Sequence, residues 1–238
     1  MRWLIVGMCV ALAGCDTTVS TTSPVPVATP QARSVRLAPD QARQSFRQVV
    51  RAVEPVAERE CKRRTSAVNC DFKIVVDPNR KAPPNAYQSL DETGRPVITF
   101  TTALIGDTRN ANELAFVLGH EAAHHIANHL SRQQGNALAG AVIFAGLTAL
   151  TGGSTSNIQA AQELGAMVGA RSYSKDFELE ADQLGTIITY YAGYNPRVGA
   201  QFFARIPDPG DRFLGTHPPN SDRIETVRRT SAQLGLGG

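Results

Sequence analysis

The chain has 238 residues, of which 42% are hydrophobic and 19% charged, with a net charge of +3. Length and mix suit one globular domain with a core plus extensions. The positive balance is small and dispersed, and no basic stripe carries interleaved aromatics, which excludes a nucleic-acid binder.

Met1 and Arg2 give a short positive start, and "WLIVGMCVAL" is an apolar run too short for a comfortable membrane span. Small residues then lead to a cysteine, Leu12-Ala13-Gly14-Cys15. The shape is that of an export signal, and "LAGC" resembles the bacterial lipobox. Residues 1–14 therefore read as a lipoprotein signal peptide and Cys15 as the lipidated mature N-terminus, a firm membrane anchor. The protein is expected in the bacterial cell envelope, facing the periplasm. Asp16 resembles the inner-membrane retention signal of enteric bacteria, a weak pointer that leaves inner and outer membrane open. Export also sets the redox state. Cys9 leaves with the signal and Cys15 is taken by lipid, so Cys61 and Cys70 remain and are expected to form a disulfide.

Asp16 to Ser34 is rich in Thr, Ser and Pro and poor in large apolar residues. It cannot bury enough surface to offset its ordering entropy. Residues 15–38 are read as lipidated N-terminus and flexible tether, and 39–238 as the folded domain. Phe46, Val49, Val50, Val53 and Val56 recur at helical spacing behind Asp40, the expected N-cap. Asp71 to Asp77 alternates and is β-branched, which predicts a strand. A turn-rich stretch follows, and Val97 to Leu104 predicts another strand or strand end. Helical patterns dominate afterwards, so the expected class is α+β, mainly helical, with a small sheet. From Gln133 to Ala170 the only charge is Glu163. This stretch reads either as a small-residue helical hairpin packed in or on the core, or as a mobile or membrane-touching element beside the active site.

"LGHEAAHHIANHL" holds four of the five histidines. In "HEAAH", His120 and His124 are four apart and share a helix face, so both imidazoles can reach one cation. Glu121 beside them can reach a water on that cation, the arrangement of zinc peptidases with Glu as general base. Helical rotation of about 100° per residue turns His129 to the other side, so His125 and His129 read as surface or supporting groups. A third ligand must come from elsewhere. In "SYSKDFELEADQLG", Glu178 and Asp182 share a face and Glu180 points away. One of the pair would bind metal and the other would hold a ligand histidine's free N–H. Spacing alone leaves open which does which.

"NAY" (Asn85 to Tyr87), "GHEAAH" (Gly119 to His124), "SKDFELEAD" (Ser174 to Asp182) and "THPPNSDR" (Thr216 to Arg223) together resemble the M48 family of zinc metallopeptidases, in a compact lipoprotein form. The resemblance implies a zincin-like domain with HEAAH on the active-site helix. It implies one Zn2+ per chain on His120, His124 and Glu178, with Asp182 behind a ligand. It also implies His217 as an oxyanion donor or as a plug of the open zinc position, and Arg223 as a hold on substrate. Lys175 stands where the family often has Arg. The expected activity is a zinc endopeptidase with Glu121 as base, acting on unfolded or misassembled envelope proteins. The strand around Val97 to Thr101 would offer its edge to an extended substrate. A lipoprotein chaperone or assembly factor with a silenced site is the rival from another class; retention of Glu121 favours the enzyme.

Overall fold

The computed structural model describes residues 38–172, 174–208 and 218–236. The expected signal peptide, Cys15, the expected tether up to residue 37 and His217 lie outside the described residues.

Helix α1, Pro39–Arg64, buries Ala42, Phe46, Val49, Val53, Val56, Ala57 and Cys61 along one stripe. It starts two residues earlier than the Asp40 cap expected from sequence. Pro39 takes the first helical position, where a missing N–H costs nothing, and the Gln41 side chain accepts from the Ala38 N–H. Cys61 at the end of α1 is bridged to Cys70, with Cα atoms 5.7 Å apart.

Three strands follow: β1 Lys73–Val76, β2 Ala86–Leu90 and β3 Pro96–Phe100. They form a sheet in the order β1-β3-β2, with β1 parallel and β2 antiparallel to β3. Two expectations need correction here. The turn-rich stretch contains β2, which hairpins into β3 around Gly94 at φ +77°, a left-handed position that suits glycine. The strand expected over Val97 to Leu104 stops at Phe100. Thr101 caps a new helix instead, α2 (Thr102–Asp107), its hydroxyl accepting from the Leu104 N–H.

Helix α3, Ala111–Ile126, starts at Asn110, whose side chain accepts from the Glu113 N–H. It packs between α1 and α6, Ser174–Tyr191. The short α7, Pro196–Gly199, and α8, Asn220–Gln233, close the C-terminal side. Phe46 meets Phe100 at 5.0 Å between ring centroids. They belong to a core with Phe72, Ile98, Leu114, Leu118 and Ile188. The architecture is a mainly helical α+β domain of zincin-like kind.

Between α3 and α6 lie α4, His129–Leu150, and α5, Thr155–Ser172. They form a hairpin that packs on itself rather than in the core. Gly140 and Gly165 approach so closely that a Cβ on Gly140 would sit 2.1 Å from the Gly165 carbonyl oxygen. Leu138, Val142, Ile143, Leu147 and Leu150 are exposed. No described helix is long and apolar enough to cross a membrane.

Candidate metal centre

His120 and His124 come from the buried middle and last turn of α3, and Glu178 and Asp182 from the facing turns of α6. The two helices can meet closely because Gly119 and Gly185 lie at the crossing. A Cβ on Gly119 would stand 2.9 Å from the Gly185 carbonyl oxygen.

At this crossing the Nε2 atoms of His120 and His124 are 3.0 Å apart. Glu178 places one carboxylate oxygen 3.5 Å from His120 Nε2 and the other 3.3 Å from His124 Nε2. Ligands about 2.0–2.2 Å from a tetrahedral zinc stand roughly 3.3 Å from one another. The three groups therefore have the spacing and the donor types that zinc takes. Asp182 does something different. Fully buried, it lies 2.9 Å from His120 Nδ1. A carboxylate only accepts, so Nδ1 carries the hydrogen, and in the neutral ring, the form that binds a metal, Nε2 turns its lone pair toward the other two groups. Of the two carboxylates between which helix spacing left the roles open, Glu178 stands with both Nε2 atoms and Asp182 with His120 Nδ1.

The electrostatics also favour a cation. Burial works to lower the His120 pKa, but hydrogen bonds to Asp182 and Glu178 outweigh it and lift the pKa to about 9. A proton and a metal dication compete for such a position. Burial would raise the Asp182 carboxyl, yet Arg223 and His120 hold it below its ordinary value. Arg223 is buried on α8 and forks onto Asp182, with Nε and Nη2 each 2.7 Å from a carboxylate oxygen. Its guanidinium lies 3.9 Å over the Phe203 ring. Arg223, expected to hold substrate, lines the cleft and is at the same time engaged with Asp182.

Glu121, half-buried, lines the same cleft as His120, His124 and Glu178. Burial pushes its carboxyl pKa up, with Glu178 adding and His120, His124 and Arg223 opposing. The cleft holds about 790 Å³, and Asn85, Ala86, Tyr87 and Gln88 form one wall. This corrects the expected substrate edge. β3 is paired on both sides, and β2 is the outer strand beside the cleft.

His125 and His129 are both buried rather than on the surface. His125 bonds the Asn69 carbonyl at 2.7 Å and meets Phe72 edge-on. His129 returns to the site because α3 ends at Ile126 and Asn128 turns the chain at φ +55°. A rotation of about 100° per residue would turn His129 away only in one unbroken helix. His129 Nδ1 lies 2.9 Å from His124 Nδ1, and its Nε2 lies 3.1 Å from Glu180. Burial brings the His129 pKa down to about 4. Glu180 faces His129 and Arg132, away from the three converging groups, as its helix face implied. No signal in the sequence spacing marked His129.

A family model described as peptidase family M48 matches residues 43–231. The chain is 29% identical over 153 residues to the putative beta-barrel assembly-enhancing protease of Vibrio cholerae, an alignment covering 57% of this chain and 31% of that protein. It is 28% identical over 138 residues to the mitochondrial metalloendopeptidase OMA1 of Arabidopsis thaliana, covering 56% and 27%. It is 27% identical over 159 residues to the beta-barrel assembly-enhancing protease of Escherichia coli K12, covering 58% and 31%. The chain thus spans about a third of the length of the curated relatives it matches.

Proposed function

The chain belongs to peptidase family M48, and from that premise we propose that it is a zinc-dependent endopeptidase of the bacterial cell envelope. Its substrates are unfolded or misassembled envelope proteins, and lipidated Cys15 ties it to the membrane on its periplasmic face. The observation that carries this reading is the convergence of His120, His124 and Glu178 beside Glu121 in an open cleft. Relatives named as proteases and as a metalloendopeptidase support the reaction class.

His120, His124 and Glu178 would hold one zinc. When bound, zinc supplies Lewis acidity, making a water more acidic and a peptide carbonyl more electrophilic. Glu121 takes the proton of the attacking water and delivers it to the leaving amine. Asp182 orients His120, and Arg223 holds Asp182. An extended substrate chain would pair along β2, the outer strand of the cleft. His217 is proposed to meet the developing oxyanion with substrate present, and to plug the metal's open position at rest.

The test is purified protein incubated with denatured casein. We expect about one zinc per chain, slow cleavage that a chelator stops, and a Glu121→Gln protein that keeps its zinc and cuts nothing. Cleavage by Glu121→Gln at the normal rate would overturn the assignment of the base.

A further inference from the structure

Each of the two histidines at the metal centre has its second ring nitrogen engaged, but in different ways. His120 Nδ1 meets the Asp182 carboxylate directly. Among the described residues His124 Nδ1 meets no carboxylate; 2.9 Å away stands Nδ1 of another imidazole, His129. The far nitrogen of His129, Nε2, lies 3.1 Å from Glu180, and Arg132 reaches the same Glu180 oxygen at 2.8 Å.

With His129 neutral, the donors and acceptors in this row can be arranged in one way. The Glu180 carboxylate only accepts, so His129 Nε2 carries the hydrogen. In a neutral imidazole the other nitrogen is then an acceptor, so His129 Nδ1 accepts. Its partner, His124 Nδ1, must donate. That leaves the lone pair of His124 on Nε2, the atom that faces His120 Nε2 and Glu178. We infer that His129 is a positioning residue for His124: it relays a hydrogen bond from His124 Nδ1 to the Glu180 carboxylate and so presents the Nε2 lone pair to the metal. The inference rests on the metal centre proposed above.

The surroundings fix His129 in this role. Its ring stacks on Phe177 at 4.6 Å between centroids and 10° from parallel, and the Arg132 guanidinium lies 4.3 Å from the same Phe177 ring. The Asn128 turn places His129 at the start of α4, facing back toward the end of α3. Partners that orient a ligand imidazole raise its basicity and fix its tautomer, and their loss typically weakens metal binding about 10–100-fold. Glu180, which spacing sets aside as a ligand, acts here at one remove.

The experiment measures zinc dissociation constants by chelator competition, well below the melting temperature, and records the visible spectrum of the Co2+-loaded protein. His129→Phe keeps a ring on Phe177 but cannot accept a hydrogen bond. We expect its zinc Kd to rise about 10–100-fold and its cobalt bands to shift. His129→Gln restores an acceptor and should recover much of the affinity. A role in packing alone predicts the reverse order, with Phe better than Gln. Wild-type Kd and cobalt spectrum in His129→Phe overturn the inference. Should neither His129 variant fold, Glu180→Ala decides. Glu180 is partly exposed, so its removal leaves the core intact, and we expect a several-fold rise in Kd; an unchanged Kd again overturns the relay. Absence of zinc binding in the unaltered protein would sink the metal centre itself, a result distinct from variants that bind as tightly as wild type.

Discussion

Gly185 on α6 lies so close beneath Gly119 on α3 that a methyl group at position 185 would stand 2.8 Å from the His120 backbone nitrogen. Backbone thus meets backbone directly beside a proposed ligand. The crossing sets how far the α3 imidazoles stand from the α6 carboxylates, and its tightness follows from two residues without side chains.

Gly185→Ala should therefore push the helices apart. We expect a stability loss of about 1–3 kcal/mol, as for other overpacked contacts, together with weaker zinc binding. Gly146→Ala on α4 is the control, since a Cβ there meets nothing within 4 Å. That change should gain about 0.5–1 kcal/mol, the usual helical preference for Ala over Gly. Denaturant titration and chelator competition read both effects. Unchanged zinc affinity in Gly185→Ala would show that this crossing does not govern the site.

Arg223→Met removes the partner of a fully buried carboxylate, Asp182. Breaking a buried pair from one side typically costs about 3–5 kcal/mol, because the remaining charge is left unpaired. Adding Asp182→Asn to Arg223→Met should restore part of that stability while still weakening zinc binding, since a neutral amide in place of the carboxylate would hold His120 less firmly. A loss below about 1 kcal/mol in Arg223→Met would contradict the pairing.

Cys61 and Cys70 close a short loop, nine residues apart in sequence. Reduction, or paired replacement by Ser, should lower stability by about 2–3 kcal/mol through the wider unfolded ensemble it allows. Denaturant midpoints with and without reductant check this, and coincident midpoints would refute it.

Glu60 near the end of α1 supplies a pH effect. Burial pushes its pKa up, but hydrogen bonds from Arg63 and Arg64 win and hold it below 4.5. A depressed carboxylate stabilises the fold fully above its unfolded value and loses that contribution as pH falls through the folded value. Wild type should exceed Glu60→Gln by up to about 1 kcal/mol near neutral pH. The difference should shrink progressively in the acid range below 4.5. A gap that stays constant from neutral to strongly acid pH would refute the ion pairing.

Sequence alone determined the relations that lie within one element. The four-residue spacing in HEAAH puts His120 and His124 on one face. The same spacing joins Glu178 with Asp182 and sends Glu180 elsewhere, and the apolar stripe from Phe46 to Val56 marks the buried side of α1. These follow from helical periodicity and need no partner. Tertiary structure decided what depends on how elements meet. Spacing could not say that Glu178 faces both Nε2 atoms while Asp182 takes His120 Nδ1, because that follows from the α3–α6 crossing at Gly119 and Gly185. It could not show β2, which is short and half-exposed and is held as a strand by its pairing with β3. Nor could it place His129, because periodicity assumes the helix continues. One left-handed residue, Asn128, breaks α3 from α4 and turns that imidazole back onto His124. Local repeats fix directions along an element, whereas the approach of separate elements depends on contacts between residues far apart in the chain.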